Sequence, residues 1–187
     1  MRPLVDATLV GEAGVLLPPA DPDAGVLVLG IGNLLMGDEG VGVHAVRALE
    51  ERGPDAGVCV LDGGTGGANL LGAFEGRRAI ILVDATRDGT AAGSVRYRYR
   101  RDQRIFDLPA GLSAHDFGLK DLFAAAALID CLPEIHLFTV SVESVRPMCT
   151  ELSEPVAAVL PSVVHAVHAL ARRLAATAGA VARDGGT

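Results

Sequence analysis

The chain has 187 residues, half of them hydrophobic, and its 23 acidic and 16 basic side chains give a formal net charge of −7. This length suits one domain with a substantial core, and the composition excludes a disordered chain. The negative charge disfavours nucleic acid and anionic membranes as partners, since both repel an acidic protein. No apolar run approaches the ~20 residues of a transmembrane helix, so membrane insertion is not expected. Cys59, Cys131 and Cys149 are isolated, which favours a reducing, cytoplasmic location over a disulfide framework or a cysteine zinc site.

From position 26 onward, short apolar runs alternate with amphipathic segments, a pattern typical of a parallel sheet covered by helices. We therefore expect an α/β fold: a single three-layer domain over residues 26–178, with a mostly parallel central sheet and helices on both faces. Residues 1–25 are predicted to be a loosely ordered N-terminal extension, and 179–187 a frayed C-terminal tail. The predicted strands are the apolar runs 26–31, 58–62, 79–84 and 135–142 and the alternating segment 94–100.

Four segments are predicted to be helical. Apolar residues repeat with helical period after the first strand, and this helix is expected to end near Gly53. A shorter helix covers residues 68–76, and another follows Ser113, which is placed to cap it. The last helix begins after a second predicted cap, Ser153, and Pro161 within it predicts a kink.

Acidic residues follow three successive predicted strands. Asp38 and Glu39 come after the glycine loop of the first strand, Asp62 ends the second strand, and Asp84 ends the third. Taken singly, an aspartate at a strand end is more often a turn former or a helix cap. Because ligands of open parallel sheets bind at the carboxyl ends of the strands, three such positions together indicate a functional site.

The loop after the first strand begins like a dinucleotide-binding loop but departs from it in spacing. That fingerprint reads G-x-G-x-x-G, with a helix N-terminus facing a pyrophosphate. Here Gly30 and Gly32 are followed by Gly37, a G-x-G-x-x-x-x-G spacing. Asp38 and Glu39 would then repel a phosphate, although the helix dipole stabilises them. The loop is better suited to presenting a carboxylate to a cation.

A cation site needs further ligands, and His115 is the histidine that we favour. It lies at a predicted loop-to-helix junction, whereas His44, His165 and His168 lie on predicted polar helix faces and are expected to be solvated. His136 lies in a strand and is expected to be packed or at an edge. Two carboxylates and one imidazole, with open coordination positions, suit nickel, zinc or iron(II).

Four segments, in this order, resemble one protein family. GIGNLLMGDEGVGVHAVRALEE, LDGGTGGANLL, ILVDAT and SAHDFGL are similar to the maturation endopeptidases of NiFe-hydrogenases, of the hydrogenase 1 and 2 type. The similarity extends from about Val26 to about Leu174. The resemblance implies an endopeptidase that removes the C-terminal extension of the hydrogenase large-subunit precursor after nickel insertion, with that precursor as its partner.

The resemblance also implies roles for particular residues. Glu39, Asp84 and His115 match the family's nickel-binding trio, and Asp62 matches another invariant position. The nickel is expected to be supplied by the substrate precursor, and to polarise the scissile carbonyl or an attacking water as a Lewis acid. Glu39 and Asp84 would then serve catalysis as well as metal binding, with Asp62 assisting proton transfer.

Two other interpretations remain open at this point. A nucleotide-binding α/β protein would explain the glycine loop, but not its spacing or its charge. A non-catalytic nickel-binding accessory protein would use the same three ligands. In addition, Asp116 and Phe117 follow His115 where the family more commonly has Gln or Glu and an aliphatic residue, which leaves the ligand intact and the hydrogenase isoenzyme open.

Overall fold

A computed structural model describes residues 25–53, 55–100, 119–128 and 133–184. Within these ranges the chain forms the strands β1 (Val26–Ile31), β2 (Val58–Gly64), β3 (Ala79–Thr86), β4 (Val95–Arg100) and β5 (Glu134–Ser141). Its α-helices are α1 (Val41–Glu50), α2 (Leu119–Leu128) and α3 (Glu154–Asp184), and two 3-10 helices cover Gly37–Gly40 and Gly67–Ala73.

The strands form one sheet in the order β2-β1-β3-β5-β4. β1, β2, β3 and β5 are parallel, and β4 pairs with β5 in the antiparallel direction at the edge. Every residue of β1 and β3 is buried, as expected for central strands covered on both faces. The mostly parallel sheet is therefore confirmed, with the alternating segment as its edge strand.

Helices cover both faces of the sheet, which confirms the three-layer α/β fold. Side chains alternate along each strand, so Val26 and Val28 face one layer while Leu27 and Leu29 face the other. The first layer contains α1 and α3. The second contains α2 and the 3-10 helix Gly67–Ala73, where an α-helix was predicted. Several glycines lower the α-helical propensity of that segment.

The last helix, α3, begins at Glu154 as predicted, passes through Pro161 without ending, and extends to Asp184, within the predicted tail. The predicted side-chain cap is wrong: Ser153 Oγ makes no hydrogen bond within the described part of the chain. One N–H that such a cap ordinarily binds is missing, because Pro155 occupies the second helical position.

The same helix corrects the expectation that no segment approaches the length of a membrane span. Within Glu154–Thr177, an 18-residue window has a mean hydropathy of 1.3, and by length and composition this helix would suffice to cross a bilayer. Core helices of soluble proteins pass the same test, and this helix buries one face against the sheet through Val163, Val167 and Leu174.

Candidate functional site

The strand order puts a topological switch point, where a ligand-binding crevice is expected, at the carboxyl ends of β1 and β3. The chain leaves β1 for β2 on one side and returns to β3 on the other, so the connections of these neighbouring strands diverge. Open α/β sheets bind ligands at such a point. Glu39 lies on the 3-10 helix that follows β1, and Asp84 lies near the end of β3. The topology therefore places both predicted carboxylates at this crevice.

Glycines allow the turn that carries Glu39 to fold closely over the sheet. Gly32 has φ 139°, and a Cβ there would lie 1.9 Å from the carbonyl oxygen of Glu39. A Cβ on Gly42, in the first turn of α1, would lie 2.2 Å from the carbonyl oxygen of Val83. Only glycine permits such approaches. The glycine loop thus brings the Glu39 turn against the ends of β1 and β3.

Asp84 is fully buried, and its carboxyl group is in an unusual electrostatic environment. The pKa of Asp84 is raised to about 8: burial is the largest cause, the N–H of Ala85 opposes it, and the negative charge of Glu39 acts in the same direction as burial. The Ala85 N–H donates to Oδ1 at 2.8 Å, whereas no described residue donates to Oδ2. A buried acceptor oxygen beside a second acid is suited to receiving a proton or a cation.

The adjacent acids Asp38 and Glu39 have different surroundings, although both side chains are only 4% exposed. Glu39 lies close enough to Asp84 for its charge to influence that carboxyl group. Asp38 instead accepts a hydrogen bond from the backbone N–H of Ser153, at 2.5 Å, at the start of α3. Of these two acids, Glu39 lies at the crevice, whereas Asp38 is hydrogen-bonded to the start of α3.

Asp62 lies at the same edge of the sheet but points to the other face. Asp62 pairs with Gly30 of β1, and Gly30 pairs with Val83 of β3, so Asp62 and Val83 face the same layer. Asp84 is the next residue along β3 and therefore faces the opposite layer. Asp62 Oδ2 pairs with the Arg47 guanidinium at 3.2 Å, and Asp62 Oδ1 accepts the N–H of Gly64 at 3.0 Å. The three predicted edge carboxylates therefore do not form one cluster.

The third predicted metal ligand, His115, lies outside the described residues, as do Ser113, Asp116, Phe117 and Cys131. Within the described ranges, no three His, Cys, Asp or Glu side chains form a group that could hold a metal. What the structure places of the predicted trio is the pair of Glu39 and Asp84.

The remaining histidines are not at this crevice. His165 is exposed as predicted, but the prediction of a solvated side chain is wrong for His168, which is half-buried and bonds Asp55 at 2.6 Å. These residues are 113 positions apart, so sequence spacing did not reveal the contact. His44 is half-buried as well, and its Nε2 donates to the carbonyl oxygen of Thr150 at 3.1 Å.

His136 is packed within β5, as predicted, at the amino-terminal end of that strand. Tyr97 donates its hydroxyl to Nδ1 at 2.7 Å, and Nε2 donates to a carboxylate oxygen of Glu134 at 3.1 Å. The ring of Tyr99 stacks on the imidazole at 4.8 Å. Burial lowers the pKa of His136, which keeps the imidazole neutral and suits a structural role.

The loop between β5 and α3, residues 142–153, also supports the site, a role that its sequence does not reveal. Gly37 donates its backbone N–H to the carbonyl oxygen of Cys149 at 2.7 Å. Cys149 in turn donates its backbone N–H to the carbonyl oxygen of Leu35 at 3.2 Å. Met36 and Cys149 form an isolated parallel bridge. The β5–α3 loop therefore holds the turn that carries Glu39.

Comparison with known proteins identifies the family. Residues 43–170 match the model of the hydrogenase maturation proteases. This chain belongs to the hydrogenase maturation protease family. Hydrogenase expression/formation protein HoxM of Azotobacter vinelandii is 39% identical over 166 residues, which cover 86% of this chain and 77% of HoxM. The hydrogenase 2 maturation protease of Escherichia coli is 39% identical over 127 residues, or 65% of this chain and 76% of that protein.

Solved structures of this protease family share the fold. The hydrogenase-maturating endopeptidase HybD of E. coli superimposes with a TM-score of 0.67 and 34% identity, covering 79% of this chain and 92% of HybD. The NiFe-hydrogenase maturation protease HybD of Thermococcus kodakarensis gives a TM-score of 0.64 and 34% identity, covering 78% and 98% of the two chains.

Within the described part of the chain, the crevice brings together the carboxylates of Glu39 and Asp84. Within the described ranges, no serine or cysteine side chain hydrogen-bonds a histidine, so the pairing of a nucleophile with a base is absent from that part of the chain. Glu39 and Asp84 could bind a cation, or exchange a proton with a bound substrate. Either use fits two acids at a ligand-binding crevice.

Proposed function

We propose that this maturation protease removes the C-terminal extension of the hydrogenase large-subunit precursor after nickel insertion, and that it recognises the nickel carried by the precursor. The observation that carries the proposal is the buried pair of Glu39 and Asp84 at the crevice between β1 and β3. Endopeptidase activity accords with the family, and the precursor is the kind of partner on which this family acts.

The fit to a cation rests on Asp84 Oδ2. This oxygen is buried and receives no hydrogen bond from a described residue, while Glu39 adds a second negative charge nearby. A divalent ion would compensate both carboxylates, so burying the two acids side by side would become favourable. With His115 as the predicted third ligand, the oxygen and nitrogen donors suit a borderline metal such as nickel.

In this proposal the nickel is part of the substrate. A precursor without nickel would lack the ion that Glu39 and Asp84 are proposed to bind, and it would bind poorly. A loaded precursor would be anchored by the same two carboxylates, and the bound ion would supply a Lewis acid for peptide hydrolysis. Glu39 and Asp84 thus orient the precursor at the crevice, and recognition is coupled to the completion of metal insertion.

A role of Asp62 in proton transfer stays a prediction. Its side chain is 33% exposed, but Arg47 and the N–H of Gly64 engage both carboxylate oxygens. Asp62→Asn tests the role, because the amide oxygen still accepts the Gly64 N–H while the side chain no longer accepts a proton. A fall in kcat with unchanged folding would support proton transfer by Asp62, and unchanged kcat would exclude it.

The proposed function is tested by incubating the purified protein with nickel-loaded and nickel-free precursor and measuring the intact mass of the large subunit. We expect loss of a C-terminal peptide from the loaded form alone. Binding of the loaded precursor without cleavage would instead support an accessory role. Equal cleavage of both forms would contradict nickel recognition while leaving the protease function in place.

We also place this processing in the cytoplasm. Cys59 and Cys149 are free, half-buried thiols within the described part of the chain, which accords with a reducing compartment. Fractionation of cells that express the tagged full chain tests this location.

A further inference from the structure

Asp38 connects the turn that carries Glu39 to the start of the longest helix. Its side chain is 4% exposed, and its Oδ1 accepts the backbone N–H of Ser153 at 2.5 Å. Ser153 immediately precedes α3 and begins the helical hydrogen-bond pattern, since its carbonyl oxygen accepts the N–H of Ala157 at 2.8 Å. Asp38 therefore binds a donor at the N-cap of α3, although the two residues are 115 positions apart.

The N-cap of α3 needs this acceptor because the local sequence does not supply one. In a capping box, a Glu or Gln at the third helical position accepts the N–H of the N-cap residue. That position in α3 is Val156, a buried apolar residue that cannot accept a hydrogen bond. The carboxylate of Asp38 takes this place from another element, and its charge is favourable at the positive end of the helix dipole.

The same contact restrains Glu39. Asp38 and Glu39 are consecutive in the 3-10 helix Gly37–Gly40, whose first residue donates its N–H to the carbonyl oxygen of Cys149. Two successive residues before Glu39 are thus bound to the β5–α3 loop and to the start of α3. A shift of this turn would move Glu39 relative to Asp84, which lies on β3 and is fixed by the sheet.

We infer that Asp38 is a positioning residue for the reaction: it holds the Glu39 turn against the N-terminus of α3, so that Glu39 and Asp84 act on the same bound group. The inference rests on the proposed function. Because Asp38 acts as a hydrogen-bond acceptor in this role, an amide oxygen can replace its carboxylate. A role as a metal ligand or proton acceptor would instead require the carboxylate itself.

The test compares Asp38→Asn, Asp38→Ala and wild type in cleavage of the nickel-loaded precursor, with kcat, KM and thermal unfolding measured for each. Asp55→Ala is the matched control, because Asp55 also anchors α3, by bonding His168, but it precedes β2, at the end of the parallel strands opposite to Glu39. We expect Asp38→Ala to lower kcat by about 10- to 100-fold, since small displacements of reacting groups cost this much. KM should rise as well, because Glu39 is also proposed to anchor the nickel-loaded precursor.

The variants separate a positioning role from the alternatives. Asp38→Asn should retain most of the wild-type kcat, and Asp55→Ala should lower the melting temperature while leaving kcat unchanged. If Asp38→Asn is as inactive as Asp38→Ala, the carboxylate itself is required and the inference is wrong. If Asp38→Ala lowers only the melting temperature, Asp38 merely stabilises the fold and the inference is also wrong. Absence of cleavage by the wild-type protein would instead overturn the proposed function.

Discussion

Asp84 gives the nickel-free protein a pH-dependent stability that can be measured without substrate. Burial raises the pKa of this carboxyl group from 3.8 to about 8, and the charge of Glu39 acts in the same direction against the N–H of Ala85. The folded protein therefore binds this proton more tightly than the unfolded chain does. The contribution of Asp84 to stability is fully present below about pH 4 and is lost as the pH rises toward 8.

The magnitude follows from the width of this window. A carboxyl group whose pKa differs between the folded and unfolded states changes the free energy of unfolding by at most about 1.4 kcal/mol per pH unit. The free energy of unfolding should therefore fall by up to about 3 kcal/mol between pH 5 and pH 7. Asp84→Asn removes this dependence because asparagine does not ionise. Groups that titrate in both proteins cancel when the two are compared.

The assay is urea unfolding of the metal-free wild type and of Asp84→Asn at pH 5, 6 and 7. The absolute stability of the variant does not matter, because only the change with pH is compared. We expect the stability of the wild type, relative to the variant, to decrease steadily as the pH rises. Parallel pH profiles would refute the argument, since they would mean that Asp84 titrates near its ordinary pKa in the folded protein.

Three other substitutions test separate parts of the structure. Gly32→Ala should destabilise the protein by at least about 2 kcal/mol and abolish cleavage, because the new Cβ would strike the Glu39 carbonyl oxygen in a backbone conformation that alanine disfavours; normal cleavage would contradict the described turn. Tyr97→Phe should cost about 1 to 2 kcal/mol in urea unfolding, since His136 Nδ1 loses its donor, and an unchanged midpoint would contradict that contact. Arg47→Met should change stability by less than about 1 kcal/mol, because its ion pair is half-exposed, and a larger loss would show that the pair is more important than its exposure suggests.

The fold was predictable because its central strands are continuous apolar runs. Val26–Ile31 and Ala79–Thr86 are buried on both faces, and this burial requires apolar residues at every position except near the ends of the strands. Because ligands of open parallel sheets bind at the carboxyl ends of the strands, the predicted strand ends also indicated where the site would lie. Glu39 and Asp84 were found by this argument, and the structure places both at the crevice.

Contacts between distant segments were not predictable in the same way. Ser153 has the residue type and position of a helix cap, yet Asp38 binds its N–H from another element. Asp62 and Asp84 both occur near strand ends, yet the register between strands, which sequence spacing does not determine, turns them to opposite faces. Local propensity identifies which residues are available, whereas tertiary packing decides which of them meet.

The central claim is that Glu39 and Asp84 together engage the nickel of the precursor. It is tested most directly by the intact mass of nickel-loaded large subunit after incubation with Glu39→Gln, Asp84→Asn and the control Glu51→Gln. Glu51 is exposed, just beyond the C-terminal end of α1, whereas Glu39 lies just before the N-terminal end. We expect the control to remove the C-terminal peptide as the wild type does, and the two site variants to leave the precursor uncut while remaining folded. Normal cleavage by both site variants would contradict it.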